Sequence, residues 1–267
     1  MALTLEQARR RVTSIRSKTG SKDLDEALRA LFDGDFEGEF NLVDLRARSF
    51  FYDDFLAAAI EARLSSTAGA GTGNAAATTV AGAMNGTVTM KSASDSGTNA
   101  ANGTSLTFDQ LNWKANQGGC IFEARLQVDV ITNCYMFVGF SDTISTTVEC
   151  PTSLSGTTPA SDATDAAGFV FDTAATNAKW HLSGVKADVD ATVVNSNNAP
   201  VAATYQTLRV ELDAAGGVTG YINGALIGYI ANALTATVGL TPIIVISNRS
   251  ATQKIMTLDY IAVEQNR

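Results

Sequence analysis

The stretch Tyr205–Gly228 leaves this chain the fewest choices of fold. In Thr207-Leu208-Arg209-Val210-Glu211-Leu212-Asp213, apolar and polar residues alternate with period two. That spacing turns one face of the segment dry and the other wet, as in a half-buried strand. Ala214-Ala215-Gly216-Gly217 supplies left-handed positions for a tight reversal. A second strand ends at Asn223-Gly224, a strong hairpin signal, and a third leaves through Leu226 and Ile227. An antiparallel meander with one dry face needs a second layer to cover it.

Composition agrees with a layered β protein. The chain has 267 residues, 45% hydrophobic and only 17% charged, room for one large β domain plus an arm. The net charge of -8 argues against nucleic acid as a partner. Cys120, Cys134 and Cys150 are too few and too odd for a disulfide framework, so reduced core or strand-end thiols are expected. The lone His181 follows Trp180 in a strand-like run with no nucleophile motif near it, which predicts a structural role. Arg9-Arg10-Arg11 is not followed by an apolar run, so no signal peptide is expected. No segment approaches the ~20 apolar residues of a membrane span, so no membrane association is expected. The Asn-Gly-Thr and Asn-Arg-Ser triplets at Asn85, Asn102 and Asn248 are then chance sequons.

Residues 1–48 read differently. Thr4-Leu5-Glu6-Gln7 has the form of a capping box, and Leu5, Ala8, Val12 and Ile15 follow at helical spacing with Arg9, Arg10, Arg11 and Arg16 around them. Asp23-Leu24-Asp25-Glu26 opens a second helix carrying Leu24, Ala27, Leu28, Leu31 and Phe32 on one side, stopped at Asp33-Gly34. Helices this short rarely repay nucleation alone. The expectation is a helical arm that packs on the main domain, a neighbouring copy or another protein. The basic triplet is either a solvated helix face or a contact with an acidic protein surface.

From Ser49 onward strands dominate. Ser49–Leu56 is read as the first strand and turn, and Ser65–Met84, rich in Ala, Gly, Thr and Ser, as a linker or loop. Phe122, Ala124, Leu126, Val128 and Val130 alternate with Glu123, Arg125, Gln127 and Asp129, and a hairpin to Phe140 is expected through Thr132-Asn133. Ser141–Ala166 reads as a long polar loop. The last strand, Lys254–Val263, appears apolar on both faces, with Met256, Leu258, Tyr260 and Ala262 on one. A strand of that kind needs cover on both sides, from a loop of the same chain or from a second subunit, and Met256, Leu258 and Tyr260 are the expected subunit contact.

More than ten short strands after residue 85 predict an all-β, two-sheet antiparallel sandwich. Asp53-Asp54-Phe55, the expected Phe122–Phe140 hairpin, Leu208–Asp213, Gly220-Tyr-Ile-Asn-Gly224 and the closing Leu258-Asp-Tyr-Ile-Ala-Val263 resemble the concanavalin A-like (laminin-G-like) jelly roll over residues 49–267. With an N-terminal arm and this Ala/Thr/Gly/Asn-rich texture, the chain is similar to structural proteins of tailed-phage virions. The resemblance implies a head decoration (cement) protein on the particle surface, made in the host cytoplasm. A homotrimer held to the major capsid protein or other virion proteins by residues 1–48 is the assembly expected.

Glycoside hydrolases share this fold, and a retaining pair needs carboxylates about 5 Å apart. The glucanases of the fold carry them in a Glu-x-Asp-x-x-Glu run, which this sequence lacks. Glu211 and Asp213 share a strand face but read as a solvated pair beside a turn. Asp188-Val189-Asp190 offers two carboxylates, few for a calcium ion wanting six to eight oxygens. No catalytic, cofactor or metal residue is therefore assigned, and the chain is expected not to be an enzyme. The alternative is a tail-fibre, receptor-binding module for a host glycan, with Trp113, Trp180 and Tyr221 as candidate aromatics; a glycan hydrolase using Glu211 ranks third.

Overall fold

The computed structural model describes residues 48–95, 102–144, 148 and 150–267. The chain divides into two units, Met1–Arg48 and Ser49–Arg267. Apart from Arg48 the first lies outside the described residues, and with it the expected helices and arm residues Leu5, Arg9, Arg10, Arg11, Val12, Ile15, Leu24, Leu28, Leu31 and Phe32.

The second unit is a two-sheet antiparallel sandwich. Its strands begin with β1 (Arg48–Asp53), β2 (Ser65–Ala68), β3 (Ala75–Thr79), β4 (Val88–Lys91) and β5 (Thr104–Thr107). The middle of the chain forms β6 (Cys120–Val128), β7 (Cys134–Ser141), β8 (Thr152–Ser155), β9 (Thr158–Ser161), β10 (Ala166–Asp172) and β11 (Trp180–Lys186). After the two-residue strands β12 (Val189–Asp190) and β13 (Val194–Asn195) come β14 (Gln206–Leu212), β15 (Val218–Ile222) and β16 (Ala225–Ile230). β17 (Thr241–Asn248) and β18 (Ile255–Asn266) close the fold. Sheet A runs β16-β15-β14-β6-β18-β4-β3, with β1 also on β18; sheet B runs β12-β11-β10-β7-β17-β5-β2, with β13 also on β11.

Alternation along the strands builds the core between the sheets. β6 buries Phe122, Ala124, Leu126 and Val128, and β14 buries Leu208, Val210 and Leu212. Across the sandwich, Phe122 of sheet A meets Phe140 of sheet B edge-on, centroids 5.9 Å apart. The meander forms as expected, with Asn223 and Gly224 both at positive φ in the two-residue turn between β15 and β16. Gly220 is required for space: a Cβ there would lie 2.6 Å from Phe169 Cζ and 2.8 Å from Leu182 Cδ1.

Four expectations need correction. β6 and β7 are consecutive, but one joins sheet A and the other sheet B, so Phe122–Phe140 is a crossing between layers and not a hairpin. Ser65–Met84 is not a plain linker: its small residues form the edge strands β2 and β3, where little side-chain volume is needed. The stretch 141–166 contains the β8–β9 hairpin. In β18 a bulge between Leu258 and Tyr260 shifts the phase, sending Met256, Leu258, Ile261 and Val263 inward and Tyr260 and Ala262 outward. The strand therefore has one dry face, and Met256 and Leu258 are fully buried within the chain's own core.

Sheet B is covered on its outer side too. Tyr135, Phe137, Val170, Val185, Ile243 and Val245 point away from the first core and pack under Val148, Cys150, Leu154 and Ala163. Asp172, fully buried, pins this cover: its oxygens accept from Leu154 N at 3.0 Å, Ala174 N at 2.9 Å and Arg249 Nε at 2.8 Å. The second Arg249 nitrogen, Nη2, completes a bidentate pair.

Candidate functional site

Among the described residues, the outer face of sheet A lacks such a cover. Its central strands present their outward positions there: Ile121, Glu123, Arg125 and Gln127 from β6, Thr207, Arg209 and Glu211 from β14, and Tyr260 and Ala262 from β18. Register brings them together. Arg209 lies opposite Glu123 on one side and Tyr221 on the other, and Arg125 lies between Thr207 and Tyr260.

Charges on this face are paired rather than isolated. Arg209 Nε donates to Glu211 Oε1 at 2.6 Å, and its Nη1 sits 3.8 Å from Glu123 Oε2. Arg125 pairs with Asp259, which the β18 bulge brings alongside it, and its guanidinium lies 4.3 Å over the Tyr205 ring. The Tyr260 hydroxyl donates to Glu123 Oε1 at 2.7 Å. Burial, then the bond to Glu123, pushes the Tyr260 phenol up to about 12. Tyr52 stacks obliquely on Tyr260 at 5.9 Å and stays half exposed. Burial and the carboxylates of Asp54, Asp259 and Asp53 raise its phenol as well.

On the same face is a shallow hollow of about 200 Å³, with Phe50 on its wall and Glu123, Arg209 and Glu264 around Ile121 and Ala262. Flat tyrosine rings beside alternating acceptors and donors suit a polyhydroxylated ligand, whose ring faces are apolar and whose edges hydrogen-bond.

The other expected site residues fall elsewhere. Asp213 leaves the strand for the turn, where it accepts from Ala215 N, Gly217 N and the Tyr229 hydroxyl. It does not pair with Glu211. Trp113 and Trp180 are buried, while Tyr221 is partly buried on the outer face of sheet A. His181 is buried on the outer side of sheet B, Nδ1–H donating to Lys179 O at 2.8 Å, and burial lowers its pKa. Asp188 lies in the turn before β12 and Asp190 within it; among the described residues no group of three or more His, Cys, Asp or Glu is placed to hold a metal. No helix among them is long and apolar enough to cross a membrane. Sequence reasoning missed Tyr52, Tyr205 and the Arg125–Asp259 pair. Only Arg125 was hinted at, by the outward period of β6.

No protein-family model matches the chain, and no curated protein matches it in sequence. Solved structures do match in fold. A protein of unknown function from Shewanella oneidensis MR-1 aligns with a TM-score of 0.57 at 11% identity, over 93% of this chain and 95% of its own. The β-glucanase of Bacillus licheniformis aligns at 0.52 and 13%, over 80% of this chain and 97% of the enzyme. A glycoside hydrolase family 16 endo-glucanase from Bacteroides ovatus aligns at 0.54 and 11%, over 80% and 99%. At such identities the likeness shows the fold: an all-β jelly roll of the kind these hydrolases use. It corrects the expectation of a chain that is not an enzyme. That expectation rested on the missing Glu-x-Asp-x-x-Glu run, whereas the fold is the one these hydrolases use and gives no ground for excluding catalysis.

Proposed function

We propose that this protein is a glycan-binding jelly-roll module, with the outer face of sheet A as its recognition surface and a β-linked glucan as its ligand class. The observation that carries the reading is the open tyrosine, arginine and carboxylate face around the 200 Å³ hollow. On sheet B the corresponding outer side is filled by a second apolar core. The activities of the fold neighbours on glucans support the choice of ligand.

We further propose that the module is displayed on a tailed-phage particle, as a head decoration protein or a fibre component, with residues 1–48 as its anchor to the major capsid protein or another virion protein. The support is the capped, arginine-flanked amphipathic pattern from Leu5 to Phe32 and the sequence resemblance of residues 49–267. A homotrimer belongs to this proposal.

A glycan array spanning β-glucans and bacterial surface polysaccharides tests the ligand. Tyr52→Ala and Arg209→Ala should each weaken the strongest signal by about tenfold, roughly 1.4 kcal/mol. An array without signal, or signals indifferent to both substitutions, would remove the reading. Release of reducing sugar that disappears in Glu211→Gln would make the same face a hydrolytic one. For the anchor, chains lacking residues 1–48 should fail to join particles; particles that still carry them would sink the arm's role.

A further inference from the structure

A second concave region adjoins the open face. It is a groove of about 690 Å³ at one end of the sandwich, within the range of about 300–1,000 Å³ that small-molecule sites occupy. Its floor is a chain of aromatic rings. Phe51 meets Phe108 edge-on at 4.8 Å, and Phe108 meets Trp113 at 6.0 Å. Arg63 caps one end, its guanidinium 4.6 Å over the Phe51 ring. Phe51 and Trp113 are buried, but Phe108 keeps an accessible part.

The rim is polar and only partly engaged. Its backbone is held: Asp109 N donates to Thr107 Oγ1 at 3.1 Å, Trp113 N to Leu240 O at 3.1 Å, and Gln265 Nε2 to Asn112 O at 3.0 Å. The side chains of Asp109, Gln110 and Asn112 stand exposed on that held loop, without a hydrogen bond or ion pair among the described residues. An aromatic floor under a fixed loop with free carboxylate and carboxamide groups has the chemistry to grip sugar rings and their hydroxyls.

Phe50 links this groove to the sheet A hollow, because it lines both and is half exposed. We infer that hollow and groove form one track, bridged by Phe50, that takes an extended segment of a linear glycan rather than a single terminal sugar. This inference rests on the glycan reading of the open face. The face supplies the tyrosines and charged pairs at one end, and the groove supplies the aromatic floor and amide rim at the other.

Calorimetric titration of the full chain with β-1,3-1,4-linked gluco-oligosaccharides, a disaccharide against a hexasaccharide, tests the track. The hexasaccharide should bind at least about tenfold tighter than the disaccharide. The double variant Gln110→Ala/Asn112→Ala, made only at exposed positions, should lose that gain while holding disaccharide affinity within about twofold. Phe50→Ala should lose most of it as well. If both lengths bind equally, or the gain survives the double variant, the track is overturned and the face reading stands. If neither length binds, the glycan reading fails and the track with it.

Discussion

Tyr260 and Glu123 face each other across two strands of sheet A, the tyrosine hydroxyl donating to Glu123 Oε1 at 2.7 Å. The pair exists because the β18 bulge turns Tyr260 outward, where a strict alternation from Leu258 would have buried it. The bond favours the protonated phenol, as burial does, and together they push Tyr260 up to about 12.

The direction of the resulting pH effect is fixed. The folded value lies above the ~10 of an unfolded tyrosine. The contribution is therefore whole below pH ~10 and is lost as pH rises through the folded value. An absorbance titration of tyrosinate should show a late step near pH 12 that Tyr260→Phe removes. A titration curve unchanged by the substitution would disprove the bond's role.

Arg249→Ala should destabilise the sandwich by about 3–5 kcal/mol, because it strands a buried carboxylate. Asp172 has no exposed surface and, among the described residues, keeps two backbone N–H partners once the guanidinium is gone. Urea denaturation measures the loss. A change under about 1 kcal/mol, the worth of a surface pair, would show that Asp172 is not sealed in the native state.

All three cysteines should be silent to thiol reagents in the native protein. Cys120, Cys134 and Cys150 are free and buried. Burial pushes the Cys120 and Cys134 thiols up to about 12 and Cys150 well above its ordinary value. The thiolate is the reactive form, so at pH 8 labelling should begin only on unfolding and then reach every cysteine together. Rapid native labelling of one would place it outside the core.

Gly220→Ala tests the distance between the sheets. The added Cβ would meet Phe169 and Leu182 at under 3 Å, and neither ring nor isopropyl group has room to retreat in the core. Overpacking of this kind costs about 1–3 kcal/mol. The same substitution at Gly224 meets no neighbouring atom, and its cost comes from a φ of 77° alone. Equal thermal shifts for two such different causes are not expected from calorimetry; a silent Gly220→Ala would mean looser sheets.

Much of the sandwich could be read before any fold was in hand. Period two along β6 and β14 named Phe122, Leu126, Leu208 and Val210 as interior because side-chain direction in a strand is a local property of the backbone. Asn223-Gly224 marked its turn for the same reason, since positive φ is a local preference. The β18 bulge escaped because the extra residue is defined against its partner β6, and the sequence of one strand does not contain its partner. The edge strands β2 and β3 escaped because Ala and Ser, which make up most of them, have weak strand propensities that sheet pairing overrides.

The candidate surface divides along the same line. Residue chemistry by itself determined that Glu123, Arg125, Arg209 and Glu211 would point away from the core. Only the tertiary structure decided that β14, β6 and β18 would be neighbours, so that Arg209 reaches both glutamates and Tyr260 reaches Glu123. It also decided which sheet the described residues cover on its outer side, through the packing of 150–163 against sheet B. Alternation along a strand is dictated within a few bonds, whereas the choice of neighbouring strand depends on how the whole chain shares out its apolar surface.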